Sequence, residues 1–252
     1  MTDRWRVGAN LATLANGLLG VGAVLYTLAG NKLWAMLLVV LAIGFDGLDG
    51  ILSRRSSRLP TAFGRVADSV ADATSFGVAP AVMLAVHTSD GGLWSPYALL
   101  TTALAAGYLA AAVARLVYFT ARAHELPHFL GVPTPQSALA VVAVLLFHDT
   151  PGYAGVHPVG VLIGATALAV LMVVPVPYPK IRRGAPLRLA SAVTAGLAAL
   201  TLVPLQFRPP SGSPWALAAE VGAFGLLVGV AIYYVAGPFT VRRAASPGVP
   251  AG

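Results

Sequence analysis

Eight apolar stretches follow one another along this chain, at roughly residues 9–30, 33–53, 65–87, 93–119, 135–149, 156–176, 186–206 and 214–237. Most approach the ~20 residues that an α-helix needs to cross a hydrocarbon core. Inside lipid every backbone N–H and C=O must find a partner within the protein, so stretches of this kind are committed to helix. The expected fold is an all-α, polytopic transmembrane helical bundle of about eight spans. The fifth stretch is short and reads as tilted or partly interfacial. Composition supports a membrane class, with 10% charged residues and a mean hydropathy of +0.78. A soluble domain would carry roughly 25% charged residues.

Short Pro/Gly-rich joins such as "HTSDGGLWSP" and "RPPSGSP" separate the stretches, and no soluble domain is inserted. Residues 1–237 are expected to form one integral membrane domain, and 238–252 a short disordered tail. A basic patch precedes the first apolar run, but further spans follow, so that run reads as a transmembrane helix rather than a cleaved signal peptide. The absence of cysteine excludes disulfides and thiolate metal sites.

A net charge of +7 raises nucleic acid as a partner, but the basic residues sit in short clusters between apolar runs. Membrane topology accounts for that distribution, and no nucleic-acid partner is expected. One side collects Arg4, Arg6, Arg54, Arg55, Arg58, Arg65, Arg115, Arg122, Lys180, Arg182, Arg183, Arg188, Arg242 and Arg243. The other side has Lys32 and Arg208. The positive-inside rule then places both termini and the 54–65 loop at the cytoplasmic face of the plasma membrane.

Against this background the stretch Phe45–Asp72, "FDGLDGILSRRSSRLPTAFGRVADSVAD", holds four of the nine acidic residues. Asp46 and Asp49 are spaced i, i+3, and Asp68 and Asp72 are spaced i, i+4, so each pair lies on one helical face. The short loop between the second and third spans makes them antiparallel neighbours, with the two pairs at similar depth. An ionisable group inside a span costs about 2.5–3.5 kcal/mol on insertion scales. Helix capping or surface pairing with the basic loop explains one such residue, not four at periodic spacing. Four carboxylates suit hard divalent cations, Mg²⁺ or Mn²⁺, and a two-metal site. Gly47, Gly50 and Gly64 remove side chains where a ligand must come close. The adjoining "SRRSSR" adds cations, so metal ions and phosphates are expected together.

These residues resemble the signature of the CDP-alcohol phosphotransferases, Asp-x-x-Asp-Gly-x-x-Ala-Arg, about eight residues, then Gly-x-x-x-Asp-x-x-x-Asp. Here it reads "DGLDGILSR", nine residues, "GRVADSVAD". Ser53 stands where Ala is usual, and the longer loop leaves Arg54 and Arg55 both open for the arginine position. Other stretches are similar to the bacterial-type phosphatidylserine synthase branch: "NLATLANGLLG" (10–20), "DSVADATSFGVAPA" (68–81), "FLGVPTPQSA" (129–138) and "LMVVPVPYPK" (171–180). The branch reads "RLARFN" after the fourth span, where this chain has "RLVYFT", placing Tyr118 and Thr120 at altered positions.

The resemblance implies a membrane enzyme that transfers a phosphatidyl group from CDP-diacylglycerol to an alcohol, with L-serine the expected acceptor and CMP the leaving product. It implies that Asp46, Asp49, Asp68 and Asp72 hold two divalent ions and that Asp72 takes the proton of the acceptor hydroxyl. Gly50, Gly64, Arg54 and Thr61 would seat the nucleotide and its phosphates. Asn10 and Thr13 serve as helix caps or as nucleotide contacts, and the resemblance favours contacts. Thr61 reads equally as turn chemistry. Arg115 either snorkels to headgroups or binds a phosphate or a serine carboxylate. Asn16, deeper in the first span, reads as interhelical glue. Membrane lipids are implied partners, and a homodimer stays open. Rival readings are a glycerol phosphate or inositol phosphate acceptor and, from another class, a divalent-cation transporter. A transporter would place its acids nearer the bilayer midplane, on related halves of the chain.

Overall fold

The computed structural model describes residues 4–56, 61–88, 96–122, 129–150, 158–178 and 185–245. In chain order the elements are α1 (Arg4–Leu28), α2 (Lys32–Ser53), α3 (Ala62–Asp72), a π-helical segment (Ala73–Val78), α4 (Ala79–Thr88) and α5 (Pro96–Arg122). There follow β1 (Phe129–Leu130), α6 (Thr134–Asp149), α7 (Pro158–Val173), β2 (Pro177–Tyr178), α8 (Ala185–Gln206) and α9 (Pro214–Ala245). Over its described residues each apolar stretch thus folds mainly as helix. Among the described residues, five helices have the length and apolarity to cross a membrane: Arg4–Leu28, Lys32–Ser53, Phe63–His87, Ala98–Tyr118 and Pro214–Thr240. α6 and α7, of 16 residues each, reach about 24 Å at 1.5 Å per residue, less than the ~30 Å core.

One boundary differs from expectation. α9 continues through Pro238 to Ala245, so residues 238–245 are helical rather than part of a disordered tail, and 246–252 lie outside the described residues. Proline is tolerated in membrane helices where nearby hydroxyls satisfy freed carbonyls; Pro238 frees the Tyr234 carbonyl, which accepts from Tyr178 OH at 3.3 Å.

α1 shows how the bundle packs. Its buried stripe is Ala9, Ala12, Asn16, Gly20, Ala23 and Thr27, small residues at three- and four-residue steps that share one face. Leu11, Leu14, Leu18 and Leu25 on the other faces are exposed. Large apolar groups outside and small ones inside suit lipid, where helices associate through close backbone approach. Against α2 the contact is antiparallel in one register: a Cβ on Gly22 would lie 3.1 Å from Leu38 Cδ1, and one on Gly8 3.3 Å from Leu52 Cδ1. Against the third rod, the continuous run of α3, the π-helical segment and α4, it is parallel. A Cβ on Gly17 would lie 3.4 Å from Ala71 Cβ, and one on Gly20 2.7 Å from Ser75 Cα. No side chain fits at position 20 unless the two helices separate. The α1–α2 turn closes on Gly30 at φ 78°, with Asn31 N–H donating to the Tyr26 carbonyl at 2.8 Å, a left-handed helix ending that glycine adopts without strain.

α6 sits at the centre. Ala138, Val141, Val142, Leu145 and Leu146 are fully or almost fully buried, and α2, α4, α7, α9 and the π-helical segment surround it. A helix apolar on all sides is a buried helix, which explains a short apolar stretch lacking spanning length. At one end His87 Nε2 of α4 lies 3.3 Å from Asp149 Oδ2 of α6. At the other, β1 pairs antiparallel with β2 and ties the chain after α5 to the chain after α7. Gly131, at φ 74°, brings its N–H to the Val176 carbonyl at 2.8 Å.

Candidate active site

The α2–α3 connection sets the site. Thr61 caps α3, its Oγ1 accepting from Gly64 N–H at 3.1 Å, a contact that satisfies one of the unpaired donors of a helix start. α3 then leaves toward the bundle with Asp68 and Asp72 turned to the end of α2. Asp46, Asp68 and Asp72 are half-buried and each offers a carboxylate oxygen, all within 4.8 Å of one another. Asp49, 8% exposed, stands beside them, within electrostatic reach of Asp46 and Asp68. All four predicted aspartates are therefore brought together, three of them at a single point.

Like charges this close repel strongly in a low-dielectric setting. Oxygen-only donors converging from two helices fit a hard divalent cation such as Mg²⁺ or Mn²⁺. Among the described residues no other group of three or more acidic or imidazole side chains converges in this way.

α1 supplies the outer supports, a role for Thr13 and Asn16 that the sequence did not show. Thr13 Oγ1 donates to Asp49 Oδ2 at 3.0 Å, so Thr13 orients a carboxylate as well as facing the ligand groove described below. Asn16 Nδ2 donates to Asp72 Oδ1 at 2.9 Å. The Asn16 backbone carbonyl accepts from Ser75 Oγ at 2.7 Å. Asn16 is fully buried, and it is glue of a specific kind, because it fixes the deepest aspartate. The available signal was its place on the small-residue stripe of α1, three residues after Thr13. The π-helical segment begins one residue beyond Asp72, and its wide turn releases carbonyls to side chains. Tyr108 OH of α5 donates to the Phe76 carbonyl at 3.0 Å. α5 also meets α3 through Ser69 Oγ and Thr120 Oγ1, 3.0 Å apart.

Beside the cluster, between α1 and α3, lies a groove of about 350 Å³. Asn10, Thr13, Thr61 and Gly64 line it together with Leu14 and Leu18. The aspartates are not in this lining. Thr13 joins the two, lining the groove while its hydroxyl reaches Asp49. The arrangement is polar toward the helix ends and apolar deeper along α1, as an amphiphile with a polar head requires.

The two arginines after α2 separate cleanly. Arg54 folds back so that its Nη1 lies 3.3 Å from where a Cβ of Gly50 would stand. Arg55 Cζ instead lies 5.4 Å from the centre of the Trp5 ring. Arg115 is 7% exposed, and its Nη1 donates to Thr134 Oγ1 at 3.3 Å. It is buried rather than extended to headgroups, because α6 and the aromatic end of α9 close over it. Tyr178 stacks on Tyr233 there, with ring centres 5.6 Å apart, and Tyr234 OH reaches Ser137 Oγ at 3.4 Å.

Comparison with known proteins agrees in extent and kind. The CDP-alcohol phosphatidyltransferase family model matches residues 6–175, the region that contains every aspartate of the cluster. Archaetidylserine synthase of Methanothermobacter thermautotrophicus is 28% identical over 173 residues, covering 68% of this chain and 69% of that protein. The CDP-diacylglycerol–serine O-phosphatidyltransferase of Bacillus subtilis is 29% identical over 175 residues, covering 69% of this chain and 91% of its own length. The Mycobacterium bovis protein of that same description is 32% identical over 160 residues, or 56% of this chain and 52% of that one.

Proposed function

The chain belongs to the CDP-alcohol phosphatidyltransferase family and is a phospholipid-synthesising membrane enzyme; from that premise we propose that it transfers the phosphatidyl group of CDP-diacylglycerol to L-serine, giving phosphatidylserine and CMP. The observation that carries the reading is the convergence of Asp46, Asp68 and Asp72 within 4.8 Å, next to a groove that is polar at one end and apolar along α1. Relatives described as serine transferases favour serine as the acceptor.

In this reading Asp46, Asp49, Asp68 and Asp72 hold divalent metal, two ions being the number that four carboxylates suit. The metal, when bound, supplies charge to offset the diphosphate and the departing CMP phosphate. The chain's own groups do the rest. Asn10, Thr13, Thr61 and Gly64 line the space for the nucleotide, and Arg54 is held over Gly50 on the phosphate side. Asp72 takes the proton of the acceptor hydroxyl. That oxygen bonds to the phosphorus carrying diacylglycerol as the phosphorus–oxygen bond to CMP breaks. With one oxygen held by Asn16, the Asp72 carboxylate keeps a single orientation for this step, and fixed geometry of this kind lowers the entropic part of a barrier. Arg115, buried near Thr134, is the cation for the serine carboxylate.

The test is CMP release from CDP-diacylglycerol by purified protein, offered one alcohol at a time. L-Serine is expected to support turnover, and glycerol phosphate and inositol phosphate are not. Turnover with either of those and none with serine overturns the acceptor but keeps the reaction class.

The proposed orientation puts both termini and the aspartate site at the cytoplasmic side, on the strength of the arginine and lysine distribution. The chain has no cysteine, so single cysteines report without background. Ser56→Cys and Ser211→Cys are expected to react with an impermeant maleimide from opposite sides of the membrane. Reaction of both from one side overturns the orientation.

A further inference from the structure

Trp5, in the first turn of α1, gathers two guanidinium groups. Arg4 Cζ lies 5.2 Å from its ring centre and Arg55 Cζ 5.4 Å, both within cation–π range. Arg4 is its sequence neighbour. Arg55 comes from the turn that follows α2, fifty positions along the chain. The contact extends the antiparallel register of α1 on α2. Gly22 meets Leu38, Thr13 meets Asp49 and Gly8 meets Leu52, and three residues outward on each helix Trp5 meets Arg55.

The adjoining Arg54 points elsewhere, with its Nη1 against Gly50 at the aspartate end of α2. Two consecutive arginines of one turn therefore serve different neighbours. Their backbone is held by hydrogen bonds of the turn, Arg55 N–H to the Leu52 carbonyl at 3.0 Å and Ser56 N–H to the Ser53 carbonyl at 3.2 Å. Both side chains are largely exposed, and exposed arginines pay side-chain entropy to stay in one place. A planar aromatic partner reduces the choice for one of them. Once Arg55 is on the ring, the turn is fixed and Arg54 is left facing Gly50.

We infer that Trp5 is a positioning residue: by capturing Arg55 it fixes the turn after α2, and so sets Arg54 toward the diphosphate of the nucleotide lipid. The inference rests on the proposed reading that this site takes such a substrate. Trp5 touches no reacting atom, so its loss acts on substrate capture and leaves proton transfer at Asp72 in place.

Two measurements on the full chain in detergent or vesicles test it. The first is kinetic. Trp5→Ala is expected to raise the KM for CDP-diacylglycerol about twofold to fivefold, the size that loss of a surface cation–π contact gives, with kcat within about twofold. Trp5→Phe keeps an aromatic face and is expected to restore most of the KM. Arg55→Ala is expected to match Trp5→Ala, and the double variant to be no worse than either. A Trp5 that serves only as an interfacial anchor predicts independent, additive effects of the two changes, which overturns the inference. A fall in kcat at unchanged KM also overturns it.

The second measurement does not depend on substrate. Ser56→Cys in the otherwise cysteine-free chain is expected to react with maleimide faster when Trp5→Ala is added, and at the original rate with Trp5→Phe. An unchanged rate with Trp5→Ala overturns the capture of the turn whatever the enzyme's activity. Absence of CMP release by the unaltered chain overturns the proposed reading alone, and leaves the labelling result to decide whether Trp5 fixes the turn.

Discussion

Asp68→Ala and Asp46→Ala are each expected to reduce CMP release from CDP-diacylglycerol by more than about 10³-fold, because each removes a carboxylate from the point where three converge and several kcal/mol of charge stabilisation goes with it. Excess chelator should do the same to the unaltered chain, and Mg²⁺ or Mn²⁺ should restore it. The folded bundle should survive both changes. Without metal, the clustered carboxylates repel one another inside helices, so removing one relieves strain rather than opening a cavity among apolar side chains. Thermal unfolding separates this from a general loss of structure. In chelator, Asp68→Ala should unfold no earlier than the unaltered chain. Added Mg²⁺ or Mn²⁺ should raise the midpoint of the unaltered chain, as any ligand of the folded state does, and leave Asp68→Ala nearly unmoved. Full turnover in excess chelator overturns the metal reading, and so does an equal shift in both proteins.

The aspartates were legible in the sequence because membrane chemistry makes them expensive. An acid within an apolar helix demands a reason, and the i, i+3 and i, i+4 spacings already put each pair on one face. A short loop between two spans then leaves few ways to arrange them, and the structure adopts the antiparallel one. What the spacing did not carry is the part supplied by α1. Thr13 to Asp49 and Asn16 to Asp72 are contacts across 36 and 56 positions, and they depend on how far α1 slides along its neighbours. That register is set by small residues, Gly20 against Ser75 above all. Composition shows that such residues are present but not which of them meet.

The spans were legible for the same reason and limited by another. Apolar length marks a helix without distinguishing one that crosses lipid from one enclosed by protein. α6 is apolar on every side because α2, α4, α7 and α9 enclose it, and its 16 residues need only reach other helices. The end of α9 also differed, since part of the expected tail over 238–252 continues the helix as far as Ala245. The choice between Arg54 and Arg55 was likewise closed to sequence. What separates the two is a contact across the fold: Arg55 lies over Trp5, fifty residues away in the chain, while Arg54 turns back to Gly50.

The remaining prediction isolates proton transfer from metal holding. Asp72 lies one helical turn deeper into the third rod than Asp68, and it is the aspartate that Asn16 grips from α1 at 2.9 Å. Asparagine at this position keeps the size and a carbonyl oxygen that Asn16 can still donate to, so the packing of α1 on the π-helical boundary is retained. It cannot take up a proton at neutral pH. Asp72→Asn is therefore expected to lower kcat by about 10²–10⁴-fold, the range for a positioned general base, with a much smaller change in CDP-diacylglycerol binding because Asp46, Asp49 and Asp68 remain. Asp49→Asn makes the contrast. Its carboxylate is held by Thr13 at 3.0 Å, and its replacement should weaken metal affinity in a way that higher Mg²⁺ or Mn²⁺ partly repairs. Raising the metal should restore little of the turnover of Asp72→Asn, since added metal can offset a weakened ligand set but cannot replace the lost proton acceptor. Titrating metal against kcat in the two variants distinguishes the roles. Complete recovery of Asp72→Asn at high metal would mean that Asp72 is a ligand only, and that the acceptor's proton leaves by another group.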